Sequence, residues 1–330
     1  MRLRLWGTTL LAAGLVLAGC SGDRPDPGQV LVAHVVGSLD AAVADSADSG
    51  LEALAPEGYR IVTVEAGQPA DWERALERVS GDYDIVVAGG DLAGAVEPVA
   101  QRFPGQHYLL YDGWLQANNI TSVRLRHNEA AFLAGALAGL ATTDPAAFPL
   151  ATGSKLVAMV AGEQSLTARD RAAGFAAGAH AVDPTIQVLT VYRDAAQGSF
   201  YDLARDLFQN HGADVVFQAA AADGAGALQA AAELDRYAIG SDALDNGLYR
   251  GHVLASTVEQ VGPALEAALR GLADGTVSWG QTVSQGLDLG AVQLLYDDNG
   301  DIVPPAAVSR LATYAAQIVD FELQVPAAPA

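Results

Sequence analysis

Acids that follow short apolar runs are the residues of this chain whose placement suggests chemistry. The segment 214–243 reads DVVFQAAAADGAGALQAAAELDRYAIGSDA, and in it two apolar runs, 215–219 and 237–240, give way to a small residue beside Asp223 and Asp242. A third run, 107–111, ends at Asp112, with the ring of Trp114 two residues on. A carboxylate in such a place has two uses: it caps the helix that follows, or it accepts hydrogen bonds from the hydroxyls of a ligand. Gly224 and Gly226, beside Asp223, carry no Cβ and let a ligand approach the backbone. The sequence leaves cap and contact open.

Catalytic chemistry has no comparable signature. The six histidines, at 34, 107, 127, 180, 211 and 252, are scattered, with no His-Glu-x-x-His pair. No Gly-x-Ser-x-Gly elbow occurs, and the serines of GSD and GSK have no neighbouring base. The acidic run DDNGD, 297–301, fails as a calcium loop, because its sixth and twelfth positions are Ile302 and Val308. It is expected to be a hairpin turn, with Asn299 and Gly300 supplying positive φ angles. The glycines at 224 and 226 lack the third glycine of a dinucleotide fingerprint. The expectation is therefore no enzyme, no metal and no cofactor.

Composition narrows the partners. The chain has 330 residues, 51% of them apolar, so it can bury a large core. Its formal charge of −21 argues against nucleic acid, which needs a basic face. Lys155 is the single lysine, so any ligand role for a cation falls to arginine. At the N-terminus Arg2 and Arg4 precede an apolar run, 5–17, of 13 residues, too short to span a bilayer and suited to a signal peptide. The residues LAGC that close it match a lipobox, in which Cys20 is lipidated after removal of 1–19. Cys20 is also the only cysteine, which excludes an internal disulfide. The polar stretch 20–28 reads as a tether, and a lipid plus a leash predicts a folded domain held at the outer face of a cell membrane.

Elements must carry the acids to one place. Ten short apolar runs (30–37, 59–66, 83–90, 107–114, 122–126, 155–162, 186–192, 213–220, 236–242 and 252–258) alternate with helical stretches such as 72–79, 94–103, 128–142, 168–181, 203–212 and 262–274. Near-continuous apolar strands separated by helices mean parallel sheets covered on both faces. Ten strands exceed one ordinary sheet, so the expected fold class is α/β, with two doubly wound lobes joined by a hinge. Lobe one is assigned 29–126 plus 254–288, and lobe two 127–253 plus 289–325. Ligands of such sheets bind beyond the carboxyl ends of the strands.

Five segments, taken in order, resemble one family: RHNEAAFLAGALAGLAT (126–142), VAMVAGEQSLTARDRAAGFAAGAHAVDP (157–184), GADVVFQAAAADGAGA (212–227), YAIGSDA (237–243) and VLASTVEQVGPAL (253–265). They are similar to the basic membrane proteins, the PnrA-like lipoproteins that bind nucleosides for ABC importers. The resemblance implies a type I periplasmic-binding-protein fold, no catalysis, a nucleoside-like ligand and a permease partner. It maps Asp112, Gly224 and Asp242 onto family site residues, and Phe200, in GSFYD, onto an aromatic that lines the cleft, with a core role equally open. It places Glu259 where the family has a lysine, a reversal that favours a ligand hydroxyl, amine or cation. Gly37 stands for a family aspartate, Ser46 for the stacking aromatic and Ala47 for an asparagine; a second family aromatic falls at Gly90. Trp114 is the ring left to stack from lobe one. Asn128 and Glu129 open the hinge helix as cap, first-turn charge or cross-cleft contact. The rival expectation is a ligand sensor or structural envelope lipoprotein that kept the fold and lost transport.

Overall fold

The computed structural model describes residues 28–38, 41–193, 198–241 and 245–328. All ten expected strands form, and two short ones join them. The first sheet holds β1 (Val30–Val36), β2 (Tyr59–Glu65), β3 (Ile85–Gly89), β4 (His107–Tyr111), β5 (Ile120–Leu125) and β11 (Thr282–Gln285), in the order β11-β5-β4-β3-β1-β2. Every pairing in it is parallel. The second holds β6 (Leu156–Ala161), β7 (Gln187–Tyr192), β8 (Val215–Ala219), β9 (Tyr237–Ser241), β10 (Val253–Glu259) and β12 (Val292–Leu295), in the order β12-β10-β9-β8-β6-β7. Only β12 runs antiparallel, along β10.

The apolar runs dictate this arrangement. All five residues of β3, of β8 and of β9 are buried, as central strands covered on both faces must be. On the first sheet, α1 (Ala41–Glu52) and α8 (Val261–Asp274) cover one face, while α2 (Trp72–Val79) and α3 (Ala93–Arg102) cover the other. On the second, α4 (His127–Thr143), α5 (Leu166–Val182) and α9 (Pro305–Val319) lie opposite α6 (Phe200–Gln209) and α7 (Ala225–Glu233).

The lobe boundary needs a correction. Residues 254–288 were assigned to lobe one, yet β10 pairs with β9 and β12 in the second sheet. The chain therefore crosses to lobe one at Gln260, where α8 begins to pack on α1, and crosses back between β11 and β12. The run DDNGD is a second correction. No strand follows it before α9, and the positive φ angles fall on Asp298, Gly300 and Asp301. Asn299 turns inward instead, and its Nδ2 donates to the Leu254 carbonyl at 2.8 Å.

The hinge helix α4 is buried along almost its whole length, which explains its alanine and glycine content. A Cβ on Gly174 would lie 2.1 Å from the Asn128 carbonyl oxygen, and one on Gly178 would lie 1.9 Å from that of Phe132. The glycines of α5 thus let two backbones touch and fix α4 against lobe two. Asp214, fully buried, ties the preceding loop to the same sheet. It accepts from Thr142 Oγ1 (2.6 Å), from the Thr152 N–H (2.7 Å) and from the Ser154 N–H (3.0 Å).

Candidate functional site

Three stretches of chain pass between the lobes, and hydrogen bonds lace them together. The Arg126 N–H donates to Gln285 O at 2.7 Å, and the Gln260 N–H to Ala291 O at 2.8 Å. The Arg126 guanidinium donates to Glu129 Oε1 (2.6 Å), to the Ser284 carbonyl (2.7 Å) and to Asp288 Oδ1 (2.5 Å). The second oxygen of Glu129 accepts the Leu287 N–H at 2.9 Å. Asn128 Nδ2 reaches the Val325 carbonyl at 3.1 Å. Of these two residues, expected as caps or cleft contacts, Glu129 binds two crossings to each other and Asn128 holds the C-terminal segment that follows α9.

Beside them runs a charged chain from lobe one to lobe two. Asp112, directly after β4, accepts from His127 Nε2 at 2.8 Å. On the other edge of the ring, His127 Nδ1 lies 2.8 Å from Glu259 Oε1, which also receives Arg171 Nη2 at 2.5 Å. His127 is only 5% exposed. Burial disfavours its charged form, but the carboxylates of Glu259 and Asp112 outweigh that and push its pKa up to about 10. Burial likewise raises Glu259, while His127 and Arg171 win and hold its carboxyl below the usual range. The imidazole is therefore a cation held between two anions.

Asp112, His127 and Glu259 place one ligand atom each within 4.8 Å of one another, a spacing that a metal ion also uses. The geometry disfavours an ion. Each carboxylate sits on a different ring nitrogen, and the two nitrogens point away from each other, so one ion could take only one of them. A protonated imidazole also offers no lone pair.

Two cavities open at the carboxyl ends of the strands. One of about 870 Å³ lies beyond β6, β7 and β8 and is lined among others by Glu163, Arg171, Tyr192, Arg193, Phe200 and Asp223. The other, about 260 Å³, lies between the lobes, with Asp112, Trp114 and Arg124 on one side and Ser165 and Asp170 on the other. Arg124 and Asp170 approach to 3.6 Å across it. Among the described residues, six buried side-chain polar atoms lack a hydrogen-bond partner. Five of them, on Asp91, Arg169, Ser241, Thr257 and Gln285, belong to residues at the carboxyl ends of strands or the start of α5.

The expected site residues divide. Asp112 and Trp114 share the interlobe cavity, with Trp114 57% exposed. Phe200 and Asp223 share the larger one. Asp223 is exposed, and its carboxylate makes no hydrogen bond with the described residues, so it is not spent as a cap. Phe200 is 4% exposed, packed in the core under α6, with the Arg193 guanidinium 5.1 Å over its ring. Its GSFYD segment is a capping box in which Ser199 and Asp202 bond each other's backbone and start α6 at Phe200. Gly224 has a packing reason for being glycine, since a Cβ there would meet Gln218 Oε1 at 1.8 Å. Glu259, expected to face a ligand, is engaged by His127 and Arg171 instead. Asp242 and Cys20 lie outside the described residues. Sequence reasoning missed His127, Arg171 and Asp91; the start of the hinge helix singled out Asn128 and Glu129 but not the histidine before them.

The family described as ABC transporter substrate-binding protein, PnrA-like, matches residues 29–328. The chain belongs to that PnrA-like family. A Listeria innocua protein named CD4+ T-cell-stimulating antigen is 25% identical over 97% of each chain. A Lactococcus lactis protein named ABC transporter nucleoside-binding protein BmpA is 25% identical over 96% of each. In fold, a solved ABC transporter solute-binding protein from Aeropyrum pernix superposes with a TM-score of 0.67 at 22% identity, over 90% of this chain and 94% of the other. The two-lobed type I architecture implied by the five segments is the one found. Membership places the chain among substrate-binding proteins of ABC transporters, which take a small solute and a permease as partners. Among the described residues no helix is long and apolar enough to cross a membrane.

Departures from the PnrA-like pattern gain physical reasons. Ser46 lies on α1, where its hydroxyl accepts the Gly262 N–H of α8 at 3.1 Å, and Ala47 is fully buried. Both serve the contact between two helices. The charge reversal at Glu259 is answered by the cations of His127 and Arg171 beside it.

Proposed function

We propose that this chain is a lipid-anchored extracytoplasmic binding protein that closes its lobes around a nucleoside and delivers it to an ABC permease. The observation that carries the ligand class is the unspent carboxylate of Asp223, set in a ring-walled cavity at the carboxyl ends of the lobe-two strands. Its 870 Å³ lies within the range of small-molecule sites, about 300–1,000 Å³. Asp223 and Asp242 accept ribose hydroxyls from lobe two, Asp112 does so across the cleft, and Trp114 supplies an exposed ring. The name of the Lactococcus relative supports the nucleoside reading. Because the ligand touches both lobes only when they are closed, its differential affinity sets the bias toward closure. Cys20 carries the lipid, and 20–28 is the leash.

The test is a thermal-shift screen of the protein against nucleosides, sugars and amino acids, followed by calorimetry on Asp223→Ala. A ligand that binds only the folded form raises the melting point by mass action. Losing one charged acceptor costs about 1.5–3 kcal/mol, roughly tenfold to hundredfold in affinity. Stabilisation by sugars or amino acids and by no nucleoside would replace the ligand class. Cys20→Ser is expected to move the protein from the membrane fraction to the soluble one. The rival reading, a sensor or structural lipoprotein, draws on Ser46, a helix contact where the family's stacking ring falls. Permease and ATPase genes beside that of this chain would favour import over it.

A further inference from the structure

Asp91 follows β3 by two residues, at the same edge of lobe one as Asp112. Its Oδ2 accepts the Ser38 N–H at 2.7 Å. Its Oδ1 is buried and has no hydrogen-bond partner among the described residues. The surroundings hold this carboxylate in place. A Cβ on Gly37, the residue after β1, would lie 2.3 Å from Asp91 Oδ2 and 2.6 Å from Leu92 Cδ1, so only glycine leaves the acid its position. On the other side, Gly90 packs so closely that its Cβ would fall 2.1 Å from the Asp112 carbonyl oxygen, which joins the two acid-bearing turns. A carboxylate oxygen fixed by its own turn, covered and unbonded costs stability that a folded protein seldom gives up without a use.

We propose that Asp91 is a lobe-one ligand contact, whose Oδ1 accepts a hydrogen bond from a hydroxyl or amino group of the solute. The assignment rests on the proposed binding function but not on the solute being a nucleoside. Asp91 and Asp112, whose turns pack together, then act as a pair on lobe one, and a closed lobe pair grips a neutral, donor-rich solute by its hydroxyls. An anionic solute is disfavoured, because each of these acceptors repels it.

The experiment compares wild type, Asp91→Asn and Asp91→Ala. The asparagine keeps the shape and can still accept the Ser38 N–H, but it presents an N–H₂ where the free oxygen was. Melting without ligand is measured first. Asp91→Asn is expected to melt at or above wild type, since a neutral amide costs less than a carboxylate at a covered position without a partner, whereas Asp91→Ala melts lower through loss of the Ser38 bond. Titration calorimetry follows with adenosine, guanosine and uridine, and with whichever sugar or amino acid the screen returns. Asp91→Asn is expected to lose roughly tenfold to hundredfold in affinity. That loss is expected to vanish with one of 2′-, 3′- or 5′-deoxyadenosine, the one lacking the contacted hydroxyl. Unchanged affinity of Asp91→Asn overturns the proposal. So does a ligand-free Asp91→Asn that melts as low as Asp91→Ala, because Oδ1 then has an internal donor; this arm decides even if no probe binds wild type. A loss seen only with a sugar or an amino acid keeps Asp91 and discards the nucleoside.

Discussion

Replacing His127 with glutamine tests the charged chain that links the lobes. In the folded protein the imidazole stands between Asp112 and Glu259 at 2.8 Å each and is 5% exposed. Its pKa of about 10, against the usual 6.5, spans 3.5 pH units, which at about 1.36 kcal/mol per unit caps its contribution near ~5 kcal/mol. The cost of breaking a buried ion pair, about 3–5 kcal/mol, is of the same order. The sign follows from a folded pKa above the unfolded one: the contribution is complete below pH 6.5, falls as pH rises, and is gone above about 10. The gap between wild type and His127→Gln in urea titrations is thus expected to be about 4–5 kcal/mol at pH 6, about 2–3 at pH 8 and about 1 at pH 9.5. Other groups titrate near pH 10, but they do so in both proteins and cancel in the difference. A gap that stays constant across that range, or is below about 1 kcal/mol throughout, refutes the charged bridge.

Two further substitutions probe the scaffold. Gly178→Val puts a side chain where even a Cβ lies 1.9 Å from the Phe132 carbonyl oxygen, so a loss of about 2–3 kcal/mol or more is expected in denaturant titration; an unchanged midpoint would mean that α4 and α5 separate freely. Asp214→Ala removes the acceptor of the Thr142, Thr152 and Ser154 bonds and is expected to cost about 3 kcal/mol or more, with faster proteolysis in the 144–155 loop. Burial raises the Asp214 pKa, and those bonds more than reverse it, so its contribution is present above pH 4 and lost as pH falls through the depressed folded value; acid unfolding of the variant should lack that step.

The architecture was readable because β3, β8 and β9 are uninterrupted apolar runs and helices separate them. The strands β11 and β12 were missed because each has four residues, too few to show a period. Which sheet receives β10 was not readable, since VLASTVE suits either lobe and the choice is made by β9 and β12 as neighbours. In the site, Asp112 was legible as an acid at a strand end. His127 was not, because nothing beside it in the chain marks it: its two carboxylates lie 15 residues before and 132 residues after it. Gly37 was visible as a departure, but that Asp91 occupies the space beside it is a fact of tertiary packing.

The two latest strands are also the two outermost on their side. β11 closes one flank of the first sheet and β12 one flank of the second, and both come from 282–295. During synthesis neither lobe can finish its sheet until nearly the whole polypeptide has emerged, and until then β5 and β10 each present a row of unpaired backbone groups. A nascent chain of this topology stays incompletely folded for most of its length, which makes truncated products prone to aggregate along those bare margins.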